Sequence, residues 1–162
     1  MSDTKTLTIA LGGDHRGAAA IAAIRGHLKA LGHEAVPMGR ISGEPCDYPD
    51  GAYLVGRAVV EERADWGILA CGSGIGVSIA ANKVPGVRAA FCVDAQAADM
   101  TRRHNDANVL CLSGDRTPPE DCLPIVDAFL AGRFEGDRHA RRVAKIAAIE
   151  RGENPADVNA PK

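Results

Sequence analysis

The chain has 162 residues, 46% hydrophobic and 25% charged, with 19 basic against 21 acidic residues for a net charge of −2. That is one domain's length, enough to bury a core without a metal or disulfide scaffold, and the balanced charge argues against a mainly electrostatic binder of nucleic acid or anionic membranes. No apolar run approaches the roughly 18–20 residues of a membrane span, and the polar residues 1–6 lead straight into a strand pattern with no signal-peptide character, so a cytoplasmic chain is expected.

The elements alternate along the chain. Residues 7–11 (LTIAL) read as a buried strand, and residues 17–31 as a helix stopped by Gly32. Residues 34–38 form a second short strand, followed by the turn-rich loop 39–50. Asp50 is placed to cap a helix reaching about Ala64, with Leu54, Ala58 and Val59 on one face. WGILAC (66–71) is the third strand and VRAAFCV (87–93) the fourth, with a glycine-rich turn and a short helix, 76–82, between them. A helix over 95–103 precedes the fifth strand, 108–112, and residues 119–131 and 138–151 are the last two helices.

Near-continuous apolar strands separated by helices predict a parallel sheet covered on both faces, a three-layer α/β/α domain over residues 1–151. The remainder, 152–162 (GENPADVNAPK), reads as a polar tail, mobile or draped over a neighbour.

Ligands of such folds bind beyond the carboxyl ends of the strands. The first strand ends in Gly12-Gly13-Asp14-His15-Arg16-Gly17, and the third in Cys71-Gly72-Ser73-Gly74-Ile75-Gly76. The fifth is preceded by Arg102-Arg103-His104-Asn105-Asp106 and followed by Ser113-Gly114-Asp115-Arg116. The G-x-G-x-G turn lets backbone N–H groups converge on an anion, but it fits neither a dinucleotide fingerprint nor a Walker loop. A plain strand-to-helix turn explains its glycines equally well.

Cys71 stands immediately before these amides, which would stabilise a thiolate acting as base or nucleophile. Taken alone it is a buried structural thiol, the reading given to the other four scattered cysteines, which form no CxxC pair. His15 beside Asp14, and His104 in its polar run, favour function, whereas His27 and His33 read as solvent positions. No two histidines stand at i, i+4 with a carboxylate, so no metal site is expected. Arg138 and Arg142, at i, i+4, either grip a phosphate or belong to a solvated basic face.

Five ordered blocks, GGDHRG (12–17), DYPD (47–50), CGSGIGVSIAANKVPGVRA (71–89), RHNDANVL (103–110) and GDRHARRV (136–143), closely resemble the ribose-5-phosphate isomerase B (RpiB/LacAB) family. The resemblance implies a cofactor-free aldose–ketose isomerase of phosphorylated sugars on a five-stranded parallel, Rossmann-like sheet of order 2-1-3-5-4. It implies Cys71 as the proton-abstracting base, since Val77 stands where another branch of the family carries a glutamate. Ser73 and the backbone of Gly72, Gly74, Ile75 and Gly76 match the cradle for the enediolate oxygens, and Tyr48 of the DYPD block matches a substrate contact. His104 matches the group that opens the sugar ring, helped by Asp14, and Asn105 matches a further substrate contact. His15, Arg138, Arg142 and Arg116 match the phosphate side, Arg116 through a segment one residue longer than usual.

The resemblance further implies a homodimer, or a tetramer, with His104, Asn105 and Arg116 supplied by the partner. The segments 95–97 and 40–46 depart from the common family forms. Ribose 5-phosphate is therefore the default substrate, with allose 6-phosphate, galactose 6-phosphate or a tetrose phosphate open. A non-catalytic phosphosugar- or nucleotide-binding module is the reading from a different class.

Overall fold

A computed structural model describes residues 6–158. In chain order the elements are β1 (Thr8–Gly13), α1 (Ala18–Ala30), β2 (Glu34–Pro37), α2 (Tyr48–Val60), β3 (Trp66–Cys71), α3 (Ile75–Ala81), β4 (Ala89–Phe91), α4 (Ala95–Asn105), β5 (Val109–Ser113), α5 (Cys122–Ala131) and α6 (Asp137–Glu150). Every strand pair is parallel and the sheet order is β2-β1-β3-β5-β4, as the resemblance implies. Among the described residues no helix is long and apolar enough to cross a membrane.

The strands are apolar throughout because each face has its own helices to pack against. Ile9, Leu11, Ile68, Leu110 and Leu112 form one core with Ile21, Ile24 and Leu28 of α1 and Ile125 and Phe129 of α5. The alternate residues Ala10, Leu69, Cys71, Val109 and Cys111 form the other with Val55 and Ala58 of α2 and Val77 and Ala81 of α3. The period-2 alternation of a strand thus places Cys71 on the α2/α3 face at the very end of β3.

Several boundaries differ from expectation, each for a local reason. Helix α2 starts at Tyr48, with Asp47 in extended conformation at its N-cap and Pro49 in the first turn, so Asp50 lies inside the helix rather than capping it. The fourth strand, at the sheet edge, is limited to Ala89–Phe91: Val87 and Arg88 precede the start of β5 in register, and the pairing stops at Phe91–Cys111. Its free side is covered at Ala89 by Asn82, whose amide donates to the Ala89 carbonyl and whose oxygen accepts from the Ala89 N–H. Helix α4 continues to Asn105, where Asp106 adopts the left-handed conformation (φ 46°) and ends it. The first part of the polar tail is anchored: Glu153 N donates to Ala148 O, and Lys145 Nζ reaches Pro155 O at 2.6 Å. Residues 159–162 lie outside the described residues.

Candidate active site

Parallel strands put all carboxyl ends on one rim, and there the loops after β3 and β5 are laddered together. Gly114 N donates to Cys71 O (2.8 Å) and Asp115 N to Gly72 O (3.0 Å). The buried Ser113 hydroxyl donates to Gly72 O (2.7 Å) and accepts from Arg116 N (3.2 Å). This holds the 72–76 turn rigidly at the strand end. Gly74 has φ +77°, and a Cβ there would lie 2.5 Å from the Phe91 ring, so only glycine fits. In that conformation the Gly74 N–H donates to the Cys71 sulfur at 3.2 Å, and Ser73 Oγ accepts from Ile75 N at 3.2 Å. A Cβ on Gly76 would come within 2.7 Å of the Tyr48 ring, which places Tyr48 as the wall of this turn.

The end of β1 completes the rim. Asp14 is buried, and its Oδ1 accepts from Arg16 N (2.9 Å) and Gly17 N (3.1 Å), so part of this carboxylate is committed to turning the chain into α1. His15 Nδ1 accepts from Cys46 N at 3.3 Å. In a neutral ring that leaves the proton on Nε2, presenting a donor, and it ties the 40–46 loop to the rim. Arg16 pairs in bidentate fashion with Asp115, clamping the β1 and β5 ends together.

His104 and Asn105 are elsewhere. Helix α4 runs back from the carboxyl end of β4 to the amino end of β5, so its last turn lies on the opposite rim. Between that rim and Cys71, which pairs with Ser113, stands the five-residue length of β5, roughly 13 Å at the usual strand rise. The His104 turn is fixed by Arg102, stacked 3.9 Å over the Trp66 ring and bonded to Asp106 Oδ1 (2.9 Å) and Ala107 O (2.6 Å). Arg88 holds Asp106 from the other side.

Here the structure assembles a cluster the sequence reading missed. His139, in the first turn of α6 and only 5% exposed, stacks face to face on His104, with ring centroids 4.3 Å apart and planes 4° from parallel. Both Nε2 atoms lie 3.7 Å from Glu135 Oε2, while Glu135 Oε1 is bonded by Arg103. His104 is remote from His139 in sequence, so only the Glu135/His139 spacing of i, i+4 signals the cluster along the chain. These three donors could be considered for a metal, but parallel rings aim their in-plane lone pairs side by side rather than at one point, and Arg103 already pairs the carboxylate. The arrangement is a stack, not a coordination sphere.

The site residues expected from the sequence therefore divide into two groups. Asp14, His15, Tyr48, Cys71, Gly72, Ser73, Gly74, Ile75, Gly76 and Arg116 share the carboxyl rim. His104, Asn105, Arg138 and Arg142 share the amino rim, the last two flanking His139 on α6. Within one chain Arg116 lies on the rim opposite His104 and Asn105, whose rim the two α6 arginines share.

Burial pushes the Cys92 thiol up to about 11, raises Cys122, and drives Cys111 higher still, which suits inert core thiols. His27 and His33 are not free solvent positions: His27 pairs with Asp127 of α5 at 2.6 Å, and His33 Nδ1 accepts from Leu7 N at 3.3 Å.

Comparison with known proteins places this architecture. A family model described as Ribose/Galactose Isomerase matches residues 9–146. Ribose-5-phosphate isomerase B of Escherichia coli is 44% identical over 146 residues, 90% of this chain and 98% of its own. The solved structure of Clostridium thermocellum ribose-5-phosphate isomerase B superposes with a TM-score of 0.88 at 44% identity, covering 90% of this chain and 99% of that one. That of the Mycoplasma genitalium enzyme with bound ribulose-5-phosphate superposes with a TM-score of 0.85 at 42% identity, covering 89% and 96%.

Proposed function

The chain belongs to the ribose/galactose isomerase family, and from that premise we propose that it interconverts ribose 5-phosphate and ribulose 5-phosphate, with Cys71 as the base. It is an aldose–ketose isomerase of phosphorylated sugars. The observation that carries the finer reading is the Cys71 sulfur receiving the Gly74 N–H at the mouth of the 72–76 turn. A thiolate there is stabilised by a backbone donor, and the adjoining amides and Ser73 face the space where a substrate oxygen would gain charge.

The proposed reaction starts from the open-chain aldose. The thiolate of Cys71 removes the proton from C2; the electron pair forms the C1=C2 bond and the carbonyl oxygen becomes the enediolate oxygen. The proton on the C2 oxygen passes to the C1 oxygen, and the proton held by Cys71 returns at C1, leaving the carbonyl on C2. Aldose and ketose are isomers, so no oxidant or reductant enters the balance, and the reading calls on no cofactor.

Because His104 and Cys71 of one chain stand on opposite rims, the complete site is read as shared between two subunits. Cys71, Ser73, Asp14, His15 and Tyr48 come from one protomer. His104, Asn105, Arg138 and Arg142 of the partner subunit open the ring and hold the phosphate, with Arg116 as a further phosphate-side group. Phosphate binding far from the reacting carbons then holds the open chain at the base without entering the chemistry.

The same chemistry on a longer or shorter sugar is the second reading. It is favoured by the 40–46 loop, which reaches the rim through the Cys46–His15 bond and differs from the common family forms. Aldose-to-ketose conversion of ribose 5-phosphate, allose 6-phosphate, galactose 6-phosphate and erythrose 4-phosphate, on wild type and Cys71→Ala with a chelator present, tests both. Ribose 5-phosphate turnover that survives chelation and falls by about 10²–10⁴ in the variant is the expected result. Turnover confined to another sugar moves the substrate and keeps the mechanism; an undiminished Cys71→Ala enzyme overturns the base.

A further inference from the structure

The stacked pair on the amino rim has no part in the proton transfer just described, yet its geometry is specific. His139 is only 5% exposed, its Nε2 makes no hydrogen bond, and its ring lies flat against His104. Glu135 faces both rings with one oxygen while Arg103, itself braced by Asp99 at 3.0 Å, bonds the other. The Glu135 N–H also donates to Arg103 O at 3.0 Å, so the carboxylate is fixed to the same helix turn that carries His104. A surface histidine on the last turn of a helix ordinarily samples several rotamers. Here one face of the ring is covered by a flat partner and its Nε2 edge is opposed by an immobilised carboxylate.

We propose that His139 and Glu135 are positioning residues for His104: the His139 ring is a platform that sets the plane of the His104 imidazole, and Glu135 sets which edge of it carries a proton toward the carboxylate. The proposal rests on the reading that His104 opens the sugar ring. The groups facing His139 are His104 and Glu135 together with Arg138 and Arg142 on its own helix; burial, then His104 and the two arginines, lower its pKa against the pull of Glu135 and so favour the neutral ring. A neutral ring suits a platform: it stacks without competing with His104 for the single carboxylate.

A substrate that needs no ring opening separates positioning from general damage. The probe is 4-deoxyribose 5-phosphate, which lacks the C4 hydroxyl that closes the furanose ring and so presents the aldehyde directly to Cys71. His139→Ala is expected to lower kcat on ribose 5-phosphate about tenfold or more while leaving the 4-deoxy substrate within about twofold, a split that misfolding cannot produce. His139→Phe keeps a flat neutral ring and is expected to retain ribose 5-phosphate turnover within about threefold. Glu135→Gln is expected to show the same selective loss as His139→Ala.

Equal losses on both substrates, no loss in His139→Ala, or a Phe variant as poor as Ala each overturn the proposal. His104→Asn is the control for the reading beneath it. If His104→Asn shows the selective loss and His139→Ala does not, positioning fails alone; if His104→Asn shows none, the ring-opening role itself is wrong.

Discussion

At the carboxyl rim the chemistry is arranged by backbone: amides of a glycine turn, laddered to the neighbouring strand end, meet one sulfur. At the amino rim it is arranged by side chains from α4, α6 and the loop between α5 and α6, held by a stack and by ion pairs. The first kind of site has its geometry fixed by the sheet and leaves no room for a Cβ at Gly74. The second is built from titratable groups and responds to pH and to the loss of any one partner. A shared active site would join the two kinds, a rigid cradle for the reacting carbons and an adjustable grip for ring and phosphate.

The largest effect expected separates the rims onto different chains. If the site is shared across a two-fold dimer as proposed, Cys71→Ala and His104→Asn each damage one half of it, and each is expected to lose about 10²–10⁴ in turnover. Refolded together from equal amounts, half of the dimers are hybrids carrying one doubly damaged and one intact site, so activity recovers to about a quarter of wild type under two-fold symmetry. A mixture no more active than its parents breaks the division into two subunits.

Next comes the contrast between two glycines with similar φ. Gly74 at the carboxyl rim has φ +77° and a crowded Cβ position, whereas Gly136 before α6 has φ +70° and open space around it. Ala at Gly136 meets no neighbour but must adopt φ +70°, ψ −137°, a region nearly confined to glycine, at a cost of about 1–3 kcal/mol. Ala at Gly74 adds a clash with Phe91 and is expected to lose about 3 kcal/mol or more, together with the Cys71 contact. Urea unfolding of both variants measures the difference, and equal midpoints would show that the cradle is less constrained than its geometry implies.

A smaller, kinetic effect is expected at the phosphate grip. Arg138→Ala removes a charge-assisted contact far from the reacting carbons, so KM for ribose 5-phosphate is expected to rise about tenfold with less change in kcat. An unchanged KM removes Arg138 from the site and leaves it a solvated surface arginine.

The carboxyl rim was legible because strand, turn and helix are contiguous there: GGDHRG and CGSGIG each carry both the reactive side chain and the backbone that positions it. Sheet order needed the family resemblance, since periodicity cannot rank strands, and so did the proposal of Cys71 as the base. The amino rim was not legible. His139 and Glu135 meet His104 only because α6 folds back over the end of α4, a tertiary event with no local signature beyond an i, i+4 spacing. The fourth strand is shorter than its apolar run, since only Ala89, Ala90 and Phe91 pair with β5, a limit that hydropathy along the chain does not mark. Polar helix ends also deceive: His104-Asn105 reads as lying past the helix, yet it completes α4, because what ends the helix is the left-handed Asp106 clasped by Arg102 and Arg88.

The smallest effect expected is on stability, and its sign follows from which state binds the proton. Burial, then His104, Arg138 and Arg142, hold the His139 imidazole below its ordinary value near 6.5, with Glu135 opposing them. As pH falls through 6.5 the unfolded chain takes up this proton while the folded chain does not, so stability is lost on acidification between that value and the lower folded one. Glu135 acts in a lower window. Arg103 holds its carboxyl below the ordinary 4.5, a contribution present above that value and lost as pH falls through the folded one. From pH 7 down to the mid-fives the amino-rim contribution is therefore that of His139, and His139→Phe is expected to flatten the urea midpoint over this interval relative to wild type. Cys71→Ala, on the other rim, is expected to leave that slope as it is. Parallel slopes for wild type and His139→Phe would mean that the stacked ring is protonated as readily in the folded chain as in the unfolded one, and that the amino rim is no more responsive to acid than the backbone cradle opposite.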